Sequence, residues 1–290
     1  MQVPAQFEYE RATSIAHAVQ LLGKYNGAGR LIAGGHSLIP MMKLRLARPE
    51  VLIDINEVAE LGGISRVDGE LRVGALVRHT ELLDDDEVAQ LFPILRDAEK
   101  VIADPIVRNR GTVGGSVCQA DPSEDLSAAF SALRAYAVVQ GAETQRIVPL
   151  RDFFVGPYET VVGPGELLVE LRVPVRTGGS SAFLKVSRRA GDWAVGAVGA
   201  AVWLDGDVIT EVGIGLSALG ARNFVAVEAE DFLRGRSVSA DVLGEAGRIA
   251  AEHCDPPVDQ RGPADYKRHL AATLVTRALQ LACRRAGREV

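Results

Sequence analysis

Cysteine is scarce in this chain: three residues, Cys118, Cys254 and Cys283, in 290. No two of them stand at C-x-x-C spacing, which excludes a zinc ribbon or a self-contained iron–sulfur cluster. Free thiols of this kind fit a cytosolic protein, and a cytoplasmic location is expected. Positive charge is also in deficit, with 32 Lys and Arg against 38 Asp and Glu and a formal net charge of −6. An acidic chain does not take nucleic acid or an anionic membrane as its main partner, and the one basic cluster, Arg108-Asn109-Arg110, is too short to reverse this. No apolar run approaches the roughly 18 residues of a membrane span. The first residues, Met1 to Gln6, lack the basic-then-apolar order of a secretory signal, so none is expected. The G-x-G-x-x-G, G-x-S-x-G and H-E-x-x-H patterns are missing as well, which removes the Rossmann fingerprint, the hydrolase elbow and the zinc-protease helix. Neither a metal site nor a catalytic side chain is expected. What remains is an ordinary globular composition, 47% hydrophobic and 24% charged, with enough apolar material for a core and a length that suits roughly two domains of about 150 residues.

Two glycine turns dominate the sequence: Ala33-Gly34-Gly35-His36-Ser37 and Gly111-Thr112-Val113-Gly114-Gly115-Ser116. Each sets a small hydroxyl residue beside paired glycines. Glycine has no Cβ to block close approach and tolerates positive φ, so such turns can aim consecutive backbone N–H groups at a phosphate. A tight strand-to-helix connection uses the same residues, and either turn alone is weak evidence. Two in one chain suggest a pyrophosphate gripped from both sides, as in a dinucleotide.

The periodicity predicts β-α-β-α-β over the first 57 residues. Phe7 and Tyr9 alternate with acids, as in a half-buried strand. Thr13 or Ser14 caps a helix with Ile15, Ala18, Val19 and Leu22 on one face, ended by Asn26-Gly27. Leu31–Ala33 reads as a short buried strand, Ser37–Leu46 as a short helix with Pro40 in its first turn, and Val51–Ile55 as a strand. Over 58–175 the expectations are a strand at Leu71–Val73, a helix capped by Thr80, and a continuous helix from Val88 to Val101. A helix opening on Asp121-Pro122-Ser123-Glu124, with Asp121 as N-cap, follows, and then strands at Ala135–Val139, Gln145–Pro149 and Leu167–Val173. Thr177–Ser181 reads as a linker. Beyond it, strands at Ala182–Ser187, Ala197–Leu204 and Val208–Ser217, with Asp205-Gly206 between the last two, predict antiparallel pairing. Helices are expected at Phe224–Arg234, Ala240–His253 and Ala264–Ala286, the last packing on that sheet through Leu270, Leu274, Ala278, Leu281 and Ala282.

Other residues invite chemistry. Asp125 stands in a helix's first turn, where an acid is a favourable dipole partner or an acceptor for ligand hydroxyls. Arg108 and Arg110 read as salt-bridged surface residues, and His36 as a positioned loop residue. Cys118 has no His partner in the sequence and reads as a near-core thiol. His253-Cys254-Asp255 point different ways from a helix end, which does not suit a metal. Trp193, in a Gly-Asp loop, is either an edge of the core or a face for a planar ring.

Four segments, AGGHSLIPMMKLRLARPEVLIDI, VRNRGTVGGSVCQADPSEDL, FLKVSRRAGDWA and RGPADYKRHLAATLVTRAL, in this order and spacing, resemble the FAD-binding medium subunit of molybdenum hydroxylases, the carbon monoxide dehydrogenase and xanthine dehydrogenase family. The likeness covers nearly the whole chain. It implies an α+β chain: the two-subdomain FAD-binding fold shared with vanillyl-alcohol oxidase, then a C-terminal domain of a three-stranded antiparallel sheet and helices. The implied divisions are 1–57 and 58–176 for the FAD-binding subdomains and 181–288 for the C-terminal domain.

The resemblance also implies roles. Arg30, Leu31 and Ile32 would lead into the site; Ala33, Gly34, Gly35, His36 and Ser37 would grip the pyrophosphate; Thr112, Gly114 and Gly115 would hold it from the other side. Asp125 would match the family acid that binds the cofactor. Leu168 and Lys185 match positions near the adenine and flavin portions, and Trp193 an aromatic position by the isoalloxazine ring. A lysine there would stabilise negative charge on the reduced ring. FAD would be held non-covalently. Molybdopterin and 2Fe-2S clusters would sit on a large and a small partner subunit, in a dimer of heterotrimers, and this chain would pass electrons from the clusters to an external acceptor. The extra 4Fe-4S cluster of some flavin subunits does not fit the scattered cysteines. The residue after Gly-Gly, often Asn in relatives, is Ser116 here. Two other readings stay open: a free-standing flavin oxidase or reductase of the same fold, and a flavin-free assembly module.

Overall fold

The computed structural model describes residues 3–290. The first layer is β1 (Glu8–Arg11), α1 (Ile15–Tyr25), β2 (Gly29–Ile32), α2 (Leu38–Lys43) and β3 (Val51–Asp54). The strands form a parallel sheet in the order β1-β3-β2. Ser14, not Thr13, caps α1, its Oγ accepting from the His17 N–H at 3.0 Å, and left-handed Asn26 ends it. The apolar face, Ala18, Val19, Leu21 and Leu22, is buried. β1 differs from the expected half-buried strand. Tyr9 is exposed and donates its hydroxyl to Asp54, because β1 is an edge of a small sheet whose core lies under β3. β2 is only half-buried, since it borders a cavity described below.

The second layer is an antiparallel sheet in the order β4-β5-β10-β6-β7, built from β4 (Ile64–Val67), β5 (Glu70–Gly74), β6 (Tyr136–Gln140), β7 (Gln145–Pro149) and β10 (Leu167–Pro174). A hairpin of β8 (Phe154–Gly156) and β9 (Glu159–Thr160) lies between β7 and β10. Six helices sit between β5 and β6: α3 (His79–Asp84), α4 (Asp86–Leu91), α5 (Pro93–Val101), α6 (Pro105–Arg108), α7 (Val113–Gln119) and α8 (Asp125–Ala132). Three local expectations are corrected here. Thr80 lies inside α3, whose start is closed by Glu81 accepting from the Arg78 N–H. The helix expected over Val88–Val101 is broken at Phe92-Pro93, as a proline ring requires. The cap of α8 is Glu124, which accepts from the amides of Leu126 and Ser127, while Asp121 closes a separate turn on Ser123.

The third layer is the antiparallel sheet β11 (Gly179–Val186), β12 (Gly196–Asp205) and β13 (Val208–Ser217), followed by α9 (Val227–Leu233), α10 (Ala240–His253) and α11 (Ala264–Arg285). β11 begins within the stretch read as a linker, because Gly179–Ser181 pair with Ala201–Trp203. α11 packs on one face of this sheet, α5 and α8 on the other, so β12 is buried on both sides. The close approach of α8 needs bare backbone: a Cβ on Gly213 or Gly215 would overlap the Ala132 or Ala128 carbonyl. The layers are also bolted by charge. Glu230, almost wholly buried, takes both guanidinium nitrogens of Arg151 at 2.7 Å and the Ile214 N–H at 2.7 Å. No described helix is long and apolar enough to cross a membrane.

Candidate functional site

The three layers meet around one cavity of about 1060 Å³, at the large end of the roughly 300–1,000 Å³ usual for small-molecule sites. Every site residue expected from the sequence lines it. Arg30, Leu31 and Ile32 enter from β2, and Ala33, Gly34, Gly35, His36 and Ser37 form the turn into α2. Thr112 precedes α7, and Gly114 and Gly115 lie in that helix's first turn. Asp125 opens α8, Leu168 sits at the irregularity where β10 shifts register against β6, Lys185 comes from β11, and Trp193 from the loop before β12.

The two glycine turns touch. A Cβ on Gly34 would overlap the backbone of Arg110 and Gly111, so only glycine lets them meet. Two residues that sequence reasoning missed hold this junction. Asn56 donates its amide to the Ala33 carbonyl at 2.9 Å and to Asp54, and Arg78 bridges the Asn56 amide oxygen and the Arg110 carbonyl. Nothing in the sequence marks that pair, because the link runs through main-chain oxygens.

The turns differ in what they leave free. Among the described residues, the amides of Gly34, Gly35, His36 and Ser37 donate to no other group, and Gly35 takes φ +77°. All four residues line the cavity, and consecutive amides without an acceptor are what anion binding requires. In the second turn the amides after Thr112 are already committed: Val113 to the Val77 carbonyl, Gly114 to Ala75, Gly115 to Thr112 Oγ1 and Ser116 to the Thr112 carbonyl. What Val113 to Ser116 leave for the cavity is surface shape and the Ser116 hydroxyl.

Behind that second turn lies a buried set of charges. Lys185 Nζ meets Asp125 Oδ2 at 2.6 Å, with both side chains almost fully buried, and also donates to the Val101 carbonyl. Burial pushes the Asp125 carboxyl up to about 7, with Lys185 pulling it back. The other oxygen, Asp125 Oδ1, is buried with no partner among the described residues. An orphaned carboxylate oxygen at a cavity is an acceptor awaiting a hydroxyl or N–H. Burial pushes the Cys118 thiol up to about 12, which makes it an inert part of the wall. Among the described residues Arg108 has no salt-bridge partner and donates instead to the carbonyls of Ile102 and Ala103. Trp193 leaves 44% of its surface exposed, so its indole edges the site without belonging to the core. Also absent from the sequence expectations are His79 and Glu99, both buried, with His79 Nδ1 2.9 Å from Glu99 Oε1 and Nε2 3.0 Å from Ser116 Oγ. One signal for Glu99 existed: it falls on the buried face of α5 with Ile94, Leu95 and Ala98.

A cradle of free amides, a glycine junction that excludes side chains, and a buried acid with one unpartnered oxygen form a cavity fit for a dinucleotide such as FAD. Comparison with known proteins agrees. Residues 5–176 match the family described as FAD binding domain in molybdopterin dehydrogenase, and residues 181–282 match the CO dehydrogenase flavoprotein C-terminal domain. The chain is similar to the carbon monoxide dehydrogenase medium chain of Hydrogenophaga pseudoflava, 38% identical over 281 residues, with 97% of this chain and 98% of the relative covered. It is also similar to the glyceraldehyde dehydrogenase medium chain of Sulfolobus acidocaldarius, 35% identical over 277 residues, with 96% and 98% covered. The solved carbon monoxide dehydrogenase of H. pseudoflava superposes with a TM-score of 0.94 at 39% identity, covering 98% of this chain and 99% of that one. Quinoline 2-oxidoreductase from Pseudomonas putida superposes at 0.91 and 32%, with the same coverage. The chain therefore belongs to the family of FAD-binding medium subunits of molybdenum hydroxylases, the carbon monoxide dehydrogenase and xanthine dehydrogenase type.

Proposed function

We propose that this chain is the FAD-carrying electron-transfer subunit of a three-subunit molybdenum hydroxylase, the substrate being oxidised on a large molybdopterin subunit and the electrons arriving from 2Fe-2S clusters on a small one. FAD held there would supply the redox chemistry, linking the clusters to an external acceptor. The chain's own residues do the holding. The free amides of Gly34 to Ser37 would bind the pyrophosphate oxygens, and the neutral backbone does so without lysine or arginine. Asp125 Oδ1 would accept from a hydroxyl or N–H of the cofactor, and Lys185 keeps that acid in place. Trp193 would cover part of the isoalloxazine ring. The observation that carries this reading is that a single cavity gathers every expected cofactor residue while the first turn keeps its amides unpartnered.

The test is the visible spectrum of the purified full chain before and after adding FAD. A flavin spectrum with FAD released on denaturation, or its appearance on titration, supports the reading. A colourless chain that ignores FAD overturns it and promotes the flavin-free assembly module. Isolation with a molybdopterin and an iron–sulfur subunit separates the proposal from a free-standing flavin oxidase.

A further inference from the structure

Ser116, His79 and Glu99 form a hydrogen-bonded chain from the cavity wall into the core. Ser116 is half-buried and lines the cavity; His79 and Glu99 are buried. His79 Nδ1 lies 2.9 and 3.1 Å from the two Glu99 oxygens, and Nε2 lies 3.0 Å from Ser116 Oγ. The order Ser-His-Glu is that of an acyl-transfer triad, yet the amides of Gly114, Gly115 and Ser116 already have acceptors, so no oxyanion donors remain beside the serine. A nucleophilic role is therefore not built here.

The geometry points to a different role, which rests on the dinucleotide reading above: we propose that the proton count of the Glu99–His79 pair sets the direction of the Ser116 hydroxyl, and so decides whether the cavity wall offers a phosphate oxygen a donor or a lone pair. When the pair holds two exchangeable protons, either as imidazolium and carboxylate or as imidazole and carboxylic acid, one lies between Nδ1 and Glu99 and the other sits on Nε2. Nε2–H then donates to Ser116 Oγ, and the serine proton turns outward. When the pair holds one proton, it stays between Nδ1 and the carboxylate, Nε2 is bare, and it accepts the Ser116 proton. The serine then shows only lone pairs to the cavity. Both microstates of the doubly protonated pair give the same outward donor, so the argument holds whichever group carries the charge.

The surroundings favour the doubly protonated pair. The groups facing it are Glu99 from α5, Glu124 ahead of α8 and Arg108 from α6, and Glu99 and Glu124 also act on Asp125, which Lys185 of β11 neutralises. The adjacent Glu99 carboxyl holds the His79 imidazole above its usual range, against the opposing effect of burial, and burial raises Glu99 itself. His79 is a positioning residue in this scheme, acting on the ligand only through Ser116.

The test measures FAD affinity by flavin fluorescence for the full wild-type chain and Ser116→Ala across pH, with the nitrogen shifts of His79 followed by NMR. The ratio of the two dissociation constants removes the effect of Asp125, which titrates in both proteins. The expected ratio is on the order of ten-fold while Nε2 is protonated, the worth of one hydrogen bond to a charged group, and it falls toward one as Nε2 loses its proton. A ratio that stays constant while Nε2 titrates overturns the inference and leaves FAD binding intact. Failure of the wild type to bind FAD at any pH overturns the dinucleotide reading, and this inference with it.

Discussion

The two walls of the cavity are built from similar sequence and opposite physics. The wall of Ala33 to Ser37 is uncharged backbone with its donors open. The wall of Thr112 to Ser116 has committed the amides of Val113 to Ser116 to the loop after β5 and to its own turn, and stands in front of buried ionisable side chains. A Gly-Gly turn beside a hydroxyl residue is thus not one device. Whether its amides face a ligand depends on which carbonyls the neighbouring chain brings to them. The first wall should bind an anion with little dependence on pH, and the second should carry the pH dependence.

The largest effect is expected on the second wall. Lys185→Met removes the cation from a buried carboxylate, a change that costs about 3–5 kcal/mol when the remaining charge cannot be relieved. Asp125 can relieve it by taking a proton, so the loss in urea-unfolding free energy should be large at pH 8 and smaller at pH 5. In the parent protein the Asp125 carboxyl is raised from 3.8 to about 7 by folding. Its contribution is therefore full below 3.8 and fades as pH rises through about 7. Asp125→Asn should flatten the stability profile across that window, and an unchanged slope in the variant would mean that another group carries it.

Gly34→Ala probes the first wall. Its Cβ would overlap the Arg110 and Gly111 backbone, and overpacking of this kind costs about 1–3 kcal/mol. The turns must part to admit it, so FAD affinity should fall well beyond what the thermal shift accounts for. Retained affinity would show that the junction does not set the spacing of the free amides.

Thr112→Val is the mildest change. It deletes the oxygen that accepts from the Gly115 N–H, an N-cap loss of about 1 kcal/mol. It also frees that amide beside the cavity. Unfolding and FAD titration should therefore diverge, with lower stability and affinity equal or better. Parallel losses in both would mean that the Thr112 hydroxyl itself meets the ligand.

Much of this architecture was legible in the sequence. The β-α-β-α-β start, the antiparallel strands from Ala182 onward and the helix Ala240–His253 follow from apolar spacing and caps. The cavity residues were reachable because glycine pairs, Asp125, Lys185 and Trp193 belong to segments with a family likeness. What was illegible is pairing at a distance. Asp125 and Lys185 are 60 residues apart and bond to each other. His79 and Glu99 lie 20 apart on different helices. Arg78 reaches a carbonyl, and any residue type would supply that acceptor. Local breaks were missed where a single residue overruled a longer pattern, as Pro93 did within the Val88–Val101 run, or where two acids competed for one cap, as Asp121 and Glu124 did.

Lys185 and Trp193 reach the cavity from the C-terminal layer, while the free amides come from the first. A molecule seated there acts as a non-covalent staple between segments some 150 residues apart. Its binding energy is then credited to the docking of whole layers, raising the apparent stability of each by linkage. Resistance to proteolysis at the connection between β10 and β11 becomes a gauge of cofactor loading, readable with no redox partner present.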